Sequence, residues 1–284
     1  MWWKKRSLYL LTLSLIIASV VWLQMGMFLS HIIFGIDINL NFFKFCLSLL
    51  THGSLYYTLS IFLISTVIAA TLLVTAINIG KQIFGFHRFK EQLMLLKDSR
   101  LSEQYNRKFE GHKKILVVRS GQSFAFTMGL KSPAIVLSTA LIDLLAEEEL
   151  KAVIEHERSH QNNHDPLILF VLHIIAQSMW FIPLTNWCYL NYKIISEIVA
   201  DEYAIRKTGS EIGLSSALLK LVKHHFTTKT SPIVVQFTDE SVNYRLQQLV
   251  EPKQAIPVKI KPASVFISCN VLIVFLGMVL ITLA

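Results

Sequence analysis

The stretch AVIEHERSHQNNHDP, residues 152–166, holds three of the ten histidines in this chain. Two of them, His156 and His160, are four residues apart, so a helix places both imidazoles on one face, where they can bind a single ion. Glu157 lies beside them and is placed to accept a proton from an attacking water rather than to bind metal. This H-E-x-x-H spacing predicts the zinc site of a peptidase, whereas a polar helix face at a membrane surface is the alternative.

A catalytic zinc site usually has three protein ligands and a water, so a third ligand must lie elsewhere in the chain. His164 is the near candidate, but the Asp-Pro pair that follows it should end the helix and leave this side chain in solvent. The segment SEIVADEYA offers Glu197 and Asp201, four residues apart on one helical face. One carboxylate can bind zinc while the other orients a ligand imidazole through its N–H group. A solvated acidic helix face is the alternative interpretation.

The composition indicates the surroundings in which this site must be built. Apolar residues make up 53% of the chain and charged residues 16%, a balance that favours a membrane protein over a soluble one. The three cysteines show no paired spacing, which argues against a disulfide framework or a thiolate zinc cluster. The net charge is +8, and the basic residues cluster beside apolar spans. We therefore expect contact with lipid and no direct binding of nucleic acid.

Three uncharged runs are long enough to cross a bilayer: 8–28, 57–79 and 263–284. Lys and Arg residues precede the first run, follow the second run and precede the third run. By the positive-inside rule the segment 80–262 is cytoplasmic, and the connection 29–56 lies outside. We therefore predict an α-helical membrane protein with three transmembrane helices.

The predicted domains follow from these spans. Residues 1–79 form two transmembrane helices with an external loop whose apolar part lies along the interface. Residues 80–262 form a cytoplasmic α+β zinc peptidase domain with a zincin-like fold, and 263–284 form the C-terminal span. Within the middle domain the strand 133–138 (PAIVLS) precedes the metal helix, and it is either an exposed edge strand that accepts substrate or an internal strand. We expect 114–120 (KILVVRS) to be its sheet partner.

A fourth apolar run, 166–185, is also long enough to cross the membrane. If it crossed once, Glu197 would lie on the opposite side of the bilayer from His156 and His160. The residues 186–196 are too few for a helix to return through the membrane. A shared zinc therefore requires that 166–185 be a buried or re-entrant helix that does not cross.

Taken together in order, these motifs resemble the integral-membrane metallopeptidases of the BlaR/MecR type, some of which sense beta-lactams in bacteria. The resemblance covers roughly 113–206. It rests on a Phe/Gly segment, a P-x-I-V-L-S strand, H-E-x-x-H, a following Asp, W-F-x-P and Glu-x-x-x-Asp, which occur here as Gly129, Pro133 to Ser138, His156 to His160, Asp165, Trp180 to Pro183, and Glu197 with Asp201. The HtpX and CAAX-prenyl peptidases share the metal motifs, but W-F-x-P favours the BlaR/MecR type.

The resemblance implies a role for each residue that matches the family's motifs. Zinc is bound by His156, His160 and Glu197; Glu157 is the general base, and Asp201 is the partner behind a ligand. Arg245, in NYRLQQL, is a candidate supporting residue. Beta-lactam sensors continue into an extracellular penicillin-binding domain. We expect none here, because the sequence ends with its last span, and the activating signal would then come from the membrane segments, the loop 29–56 or a membrane partner.

The predicted function is a multi-pass zinc endopeptidase of the bacterial cell membrane with its active site in the cytoplasm. It would cleave a protein substrate in signal transduction, with a transcriptional repressor as one candidate. Two alternatives stay open: a quality-control peptidase similar to HtpX, and a zinc-stabilised scaffold or receptor without hydrolytic activity. An intact Glu157 argues against the scaffold, because a structural zinc needs no base beside it.

Overall fold

The structure is a computed structural model, and it describes residues 2–36, 41–109, 114–227, 244–245, 259 and 261–283. The described part is mostly helical and contains one small mixed sheet. The helices are α1 (Trp2–Phe34), α2 (Phe42–Ser48), α3 (Leu55–Leu95), α4 (Ser99–Lys108), α5 (Thr139–Leu144), α6 (Glu147–Asn163), α7 (Asp165–Ser178), α8 (Pro183–Thr208), α9 (Glu211–Thr227) and α10 (Pro262–Leu283). The strands are β1 (Ile115–Val118), β2 (Ala125–Met128) and β3 (Ala134–Ser138).

The chain divides into two compact units, each made of segments that are separated in sequence. The first unit contains the sheet and the predicted metal motifs, and consists of Met1–Leu8, Phe84–Phe170 and Asn191–Pro257. The second unit consists of Tyr9–Ile83, Val171–Leu190 and Val258–Ala284. The second unit thus includes a segment, 171–190, that the sequence assigned to the peptidase domain.

Two helices in the described part are long and apolar enough to cross a membrane. They are α1, with 33 residues, and α3, with 41 residues, and they contain the predicted spans 8–28 and 57–79. Since a helix rises about 1.5 Å per residue, α3 is about 60 Å long and continues well beyond a bilayer core. The short helix α2 lies in the predicted external connection. The helix α10 lies where the third span was expected, and a third crossing stays a prediction.

The second unit has an apolar core that includes the end of α7. Ile17, Val21 and Phe28 of α1 are buried in one cluster with Ile68 of α3 and Ile175 of α7. Many large apolar side chains of α1 and α3 are exposed, which is the pattern expected of helices that face lipid. The apolar run after the metal helix therefore packs with the predicted membrane helices.

The prediction of one continuous helix over 166–185 is wrong, because the run contains a turn. The helix α7 ends at Ser178, and the N–H of Ile182 donates to the carbonyl of Met179 at 2.9 Å. Pro183 then opens α8, where a proline is tolerated because its missing N–H would have no helical partner. The residues of this turn are themselves apolar, so the hydropathy pattern does not reveal the break between α7 and α8.

The sheet of the first unit has the order β1-β3-β2. The strand β3 pairs with β1 in parallel and with β2 in antiparallel orientation, which confirms 114–120 as a sheet partner of 133–138. Of the two interpretations of 133–138, the internal strand is therefore correct. Within the described part of the chain, β2 is the edge strand next to α6.

Both faces of this sheet are covered, which fixes the position of the metal helix. Alternate residues of β3 point to opposite faces, as the twofold period of a strand requires. Ile135 and Leu137 pack against Leu150 and Ile154 of α6. The other face packs on a second cluster that includes Leu93 of α3. The helix that carries the H-E-x-x-H motif is thus held against the sheet by its apolar side.

Candidate metal centre

Both ends of the helix α6, which carries His156 and His160, are well defined. At its start the carboxylate of Glu149 accepts a hydrogen bond from the N–H of Ala146 at 2.8 Å, and three glutamates in the first turn suit the positive end of the helix dipole. At its end His164 adopts a left-handed conformation with φ of 56°. The His164 side chain is exposed, so the near candidate for a third ligand lies outside the site. His156 and His160 are buried.

The helix α8 brings the acidic pair to these histidines. Ligand atoms of His156, His160 and Glu197 all lie within 4.8 Å of one another. The two Nε2 atoms are 3.1 Å apart, and the carboxylate of Glu197 is 3.4 Å from His156 Nε2 and 3.6 Å from His160 Nε2. The apolar run between α6 and α8 therefore does not separate these residues, as a shared metal site requires.

Each imidazole has a carboxylate at its second nitrogen. His160 Nδ1 hydrogen-bonds to Asp165 Oδ2 at 2.8 Å. His156 Nδ1 lies 2.8 Å from Asp201 Oδ1, although this contact lacks the alignment of a hydrogen bond. Tyr192 donates its hydroxyl to the other oxygen of Asp165 at 2.8 Å, so the His160 partner is itself fixed from α8. Such contacts leave both Nε2 atoms directed at the same point.

Glu157, the predicted base, is buried beside the two histidines. Its side chain contacts β2, where the hydroxyl of Thr127 lies 2.9 Å from Glu157 Oε2 and 2.8 Å from the Glu157 backbone carbonyl. The strand β2 is followed by the turn to β3, in which Gly129 has a φ of 121°. A Cβ atom there would lie 2.7 Å from the carbonyl oxygen of Ser132, so this turn needs a glycine.

Arg245 reaches the same site and is buried there. Its guanidinium donates two hydrogen bonds to Asp201, at 2.8 and 2.9 Å, which is the bidentate geometry that arginine favours. Its third nitrogen lies 3.1 Å from Glu197 Oε2. One buried cation thus neutralises part of the negative charge that the two carboxylates of α8 bring into the site.

The charges of the site displace the pKa values of its members. Burial favours the neutral form of His160, but the carboxylates of Glu197, Asp165 and Glu157 outweigh it and raise the pKa of this imidazole to about 9. Burial also favours the neutral form of Glu197. The charge of His160, the hydrogen bond from His156 and the charge of Arg245 nevertheless hold the pKa of Glu197 well below its usual range. The third ligand candidate is therefore a carboxylate.

The donor set fits a zinc ion. Two imidazole nitrogens and one carboxylate oxygen form the ligand set of several catalytic zinc sites, and a water completes the four positions. The two buried Nε2 atoms lie 3.1 Å apart, so a cation bound between them would be coordinated by both imidazoles in their neutral form. Glu157 and Thr127 lie beside the donors rather than among them.

The structure thus brings together the residues that the sequence singled out: His156, Glu157, His160, Glu197, Asp201 and Arg245. It adds three that were given no role, namely Thr127, Asp165 and Tyr192. Asp165 carried a signal, because an Asp that follows H-E-x-x-H is part of the family pattern. Thr127 and Tyr192 carried none, since a contact between a strand and a helix cannot be read from spacing along the chain.

Comparison with known proteins agrees with this geometry. The family described as BlaR1 peptidase M56 matches residues 48–249, which is well over half of the chain and confirms the resemblance to the BlaR/MecR type. A protease HtpX homologue from Caldanaerobacter subterraneus subsp. tengcongensis is 38% identical over 65 residues, which are 22% of this chain and 22% of that relative. The extent of the family match, which includes the whole candidate site, establishes that this chain belongs to the M56 peptidase family.

Proposed function

We propose that this chain is a zinc-dependent endopeptidase of the bacterial cell membrane that cleaves a cytoplasmic or membrane-proximal protein as a step in signal transduction. The observation that carries the proposal is the convergence of His156, His160 and Glu197 within 4.8 Å, with Glu157 next to them. A peptidase needs an electrophilic metal and a base at the same place, and these four side chains provide both positions.

The site residues have different roles in the proposed reaction. His156, His160 and Glu197 would hold a zinc ion, and when bound it would act as a Lewis acid that polarises the scissile carbonyl and lowers the pKa of water. Glu157 accepts the proton as the water oxygen bonds to the carbonyl carbon. It then donates that proton to the leaving amine when the carbon–nitrogen bond breaks. The buried surroundings of Glu157 strengthen its interactions with the reacting groups.

The strand β2 supports a substrate in extended conformation. It is an edge strand in the described part of the chain, and it contacts the metal helix through Thr127. An extended polypeptide can add to such an edge by main-chain hydrogen bonds, which favours unfolded or loop segments of many sequences. This binding mode replaces the one considered for 133–138, because β3 is already paired on both sides.

A location of the protein in the cell membrane is supported by the two long apolar helices and by the positive residues that flank the predicted spans. In this proposal the protein is multi-pass, the metal centre faces the cytoplasm, and 166–185 is buried or re-entrant and does not cross the membrane. A transcriptional repressor is a candidate substrate, so that cleavage would act as an antirepressor step. The activating signal would arrive through the membrane helices or a membrane partner.

Quality control of membrane proteins is the second candidate function. It is favoured by the 38% identity to a protease HtpX homologue over 65 residues. A signalling peptidase cuts one protein at one site, whereas a quality-control peptidase degrades many damaged proteins. Mass spectrometry of membrane and cytoplasmic fractions after induced expression distinguishes the two candidates by the number of cleaved proteins.

The test of hydrolysis compares three forms of the purified protein: wild type, Glu157→Gln and Glu148→Gln. Glu148 lies on the same helix and is exposed, so its substitution makes the same charge change away from the site. We expect cleavage of labelled casein by the wild type and Glu148→Gln, and a loss of at least about 100-fold in Glu157→Gln. Equal cleavage by all three would contradict the proposed base. Zinc in all three with no cleavage would favour a non-hydrolytic scaffold.

A further inference from the structure

We propose that Thr127 is a positioning residue for Glu157, an inference that rests on the proposed function of this site. The two residues are 30 positions apart and belong to different elements, β2 and α6. The Thr127 hydroxyl lies 2.9 Å from Glu157 Oε2, within the range of an O–H···O hydrogen bond. None of the roles assigned above to the metal ligands or their partners involves this contact.

The contact selects one of the two oxygens of the base. A hydroxyl has a single hydrogen, and when Thr127 donates it to Oε2, the lone pairs of Oε1 remain for the proton of the attacking water. The side chain of a glutamate has three rotatable bonds, so an unrestrained carboxylate would sample several orientations. With Thr127 in place, the carboxylate of Glu157 is already oriented before the reaction. Less conformational freedom is then lost on reaching the transition state, and kcat is higher.

The same hydroxyl also lies 2.8 Å from the backbone carbonyl of Glu157. A purely structural role, in which Thr127 ties β2 to α6, uses this second contact alone. The two roles differ in what they predict: a structural tie affects stability and metal retention, whereas a positioning contact affects turnover with both unchanged. The methyl group of Thr127 belongs to neither role, so a serine at this position should preserve both.

The experiment measures kcat and KM for labelled casein, zinc content and melting temperature in Thr127→Ser and Thr127→Val. The matched control is Thr208→Val on α8, where the hydroxyl donates to the carbonyl of Ala204 at 2.9 Å and touches no group of the site. We expect Thr127→Val to lower kcat by about 10- to 100-fold, the loss for one hydrogen bond to a charged group. KM, zinc content and melting temperature should change little, and Thr127→Ser and the control should keep kcat within about threefold of the wild-type value.

The results separate this inference from the proposed function. A wild type that cleaves, with a Thr127→Val variant of equal kcat, overturns the positioning role and leaves the peptidase intact. A Thr127→Val variant that loses zinc or melts at a clearly lower temperature than the Thr208→Val control overturns it in favour of the structural tie. Failure of the wild type to cleave, with zinc bound, overturns the proposed function and with it the role of Thr127.

Discussion

Each imidazole of the site has a carboxylate 2.8 Å from its Nδ1 atom, but only the contact of His160 has the geometry of a hydrogen bond. The pair at His160 is the better defined, because Asp165 is in turn fixed by the hydroxyl of Tyr192. The two contacts join the end of α6, the start of α7 and the middle of α8 at one point. Partners of this kind orient a ligand and raise its basicity, so they determine metal affinity without contacting the metal.

Asp165→Asn should therefore weaken zinc binding by about 10- to 100-fold, the usual effect of removing such a partner. Tyr192→Phe leaves the carboxylate in place and removes one hydrogen bond, for which we expect a loss of about fivefold. Competition with a zinc chelator measures both affinities. The control is Asp143→Asn, an exposed aspartate on α5, and equal affinity in Asp143→Asn and Asp165→Asn would contradict the role of Asp165.

Helix α6 depends on a carboxylate that joins its first turn to α9. Glu149 accepts hydrogen bonds from the backbone N–H of Ala146, the hydroxyl of Ser216 at 2.6 Å and the ammonium group of Lys220 at 2.7 Å. Burial favours the neutral form of Glu149, but the hydrogen bonds from Lys220, Ser216 and Ala146 outweigh it and lower the pKa of this carboxyl. The start of the metal helix is thus fixed from outside the helix.

Glu149→Gln should lower the free energy of unfolding by about 1–2 kcal/mol at neutral pH, because the variant loses the charge that Ser216 and Lys220 hydrogen-bond; the partial exposure of Lys220 keeps the loss in this range. Because the folded pKa of Glu149 lies below its ordinary value of 4.5, the stabilisation is present above pH 4.5 and is lost as the pH falls through the folded pKa. Melting temperatures of wild type and variant should therefore converge in acid. A gap that stays constant with pH, or an equal gap for Glu148→Gln, would contradict this.

The elements show which parts of the fold a sequence reveals. The long apolar runs and the four-residue spacings are local patterns, so α1, α3 and the ligand faces of α6 and α8 could be predicted. The break after Ser178 could not, because turn and helix are equally apolar there. The pairing of β3 on both sides and the contact of Thr127 with Glu157 depend on long-range register, which no local pattern encodes.

At the scale of the whole molecule, the chain alternates between its two units. It enters the second unit at Tyr9, leaves it after Ile83, returns for 171–190 and again from Val258. Segments that carry the metal ligands and segments of the apolar unit are therefore joined directly through α3, α7 and α8.

The proposed topology predicts that residues before the start of α3 are accessible from outside the cell and residues after its end only from the cytoplasm. In a background without native cysteines, Thr51→Cys should react with a membrane-impermeant maleimide in intact cells. Gly121→Cys, in the segment between β1 and β2, should react only after the membrane is permeabilised. Both positions are exposed, so burial does not limit the reaction. Labelling of Gly121→Cys in intact cells would contradict a cytoplasmic metal centre.

The most direct test of the account is the zinc content and ligand environment of the purified protein. We expect one zinc per chain in the wild type and in Glu157→Gln, with X-ray absorption showing two imidazoles and oxygen ligands at about 2.0–2.2 Å. His160→Ala and Glu197→Gln should each lose most of the metal, because they remove donors of the site. Absence of zinc from the wild type, or full zinc content in both ligand variants, would contradict the assignment of this metal centre.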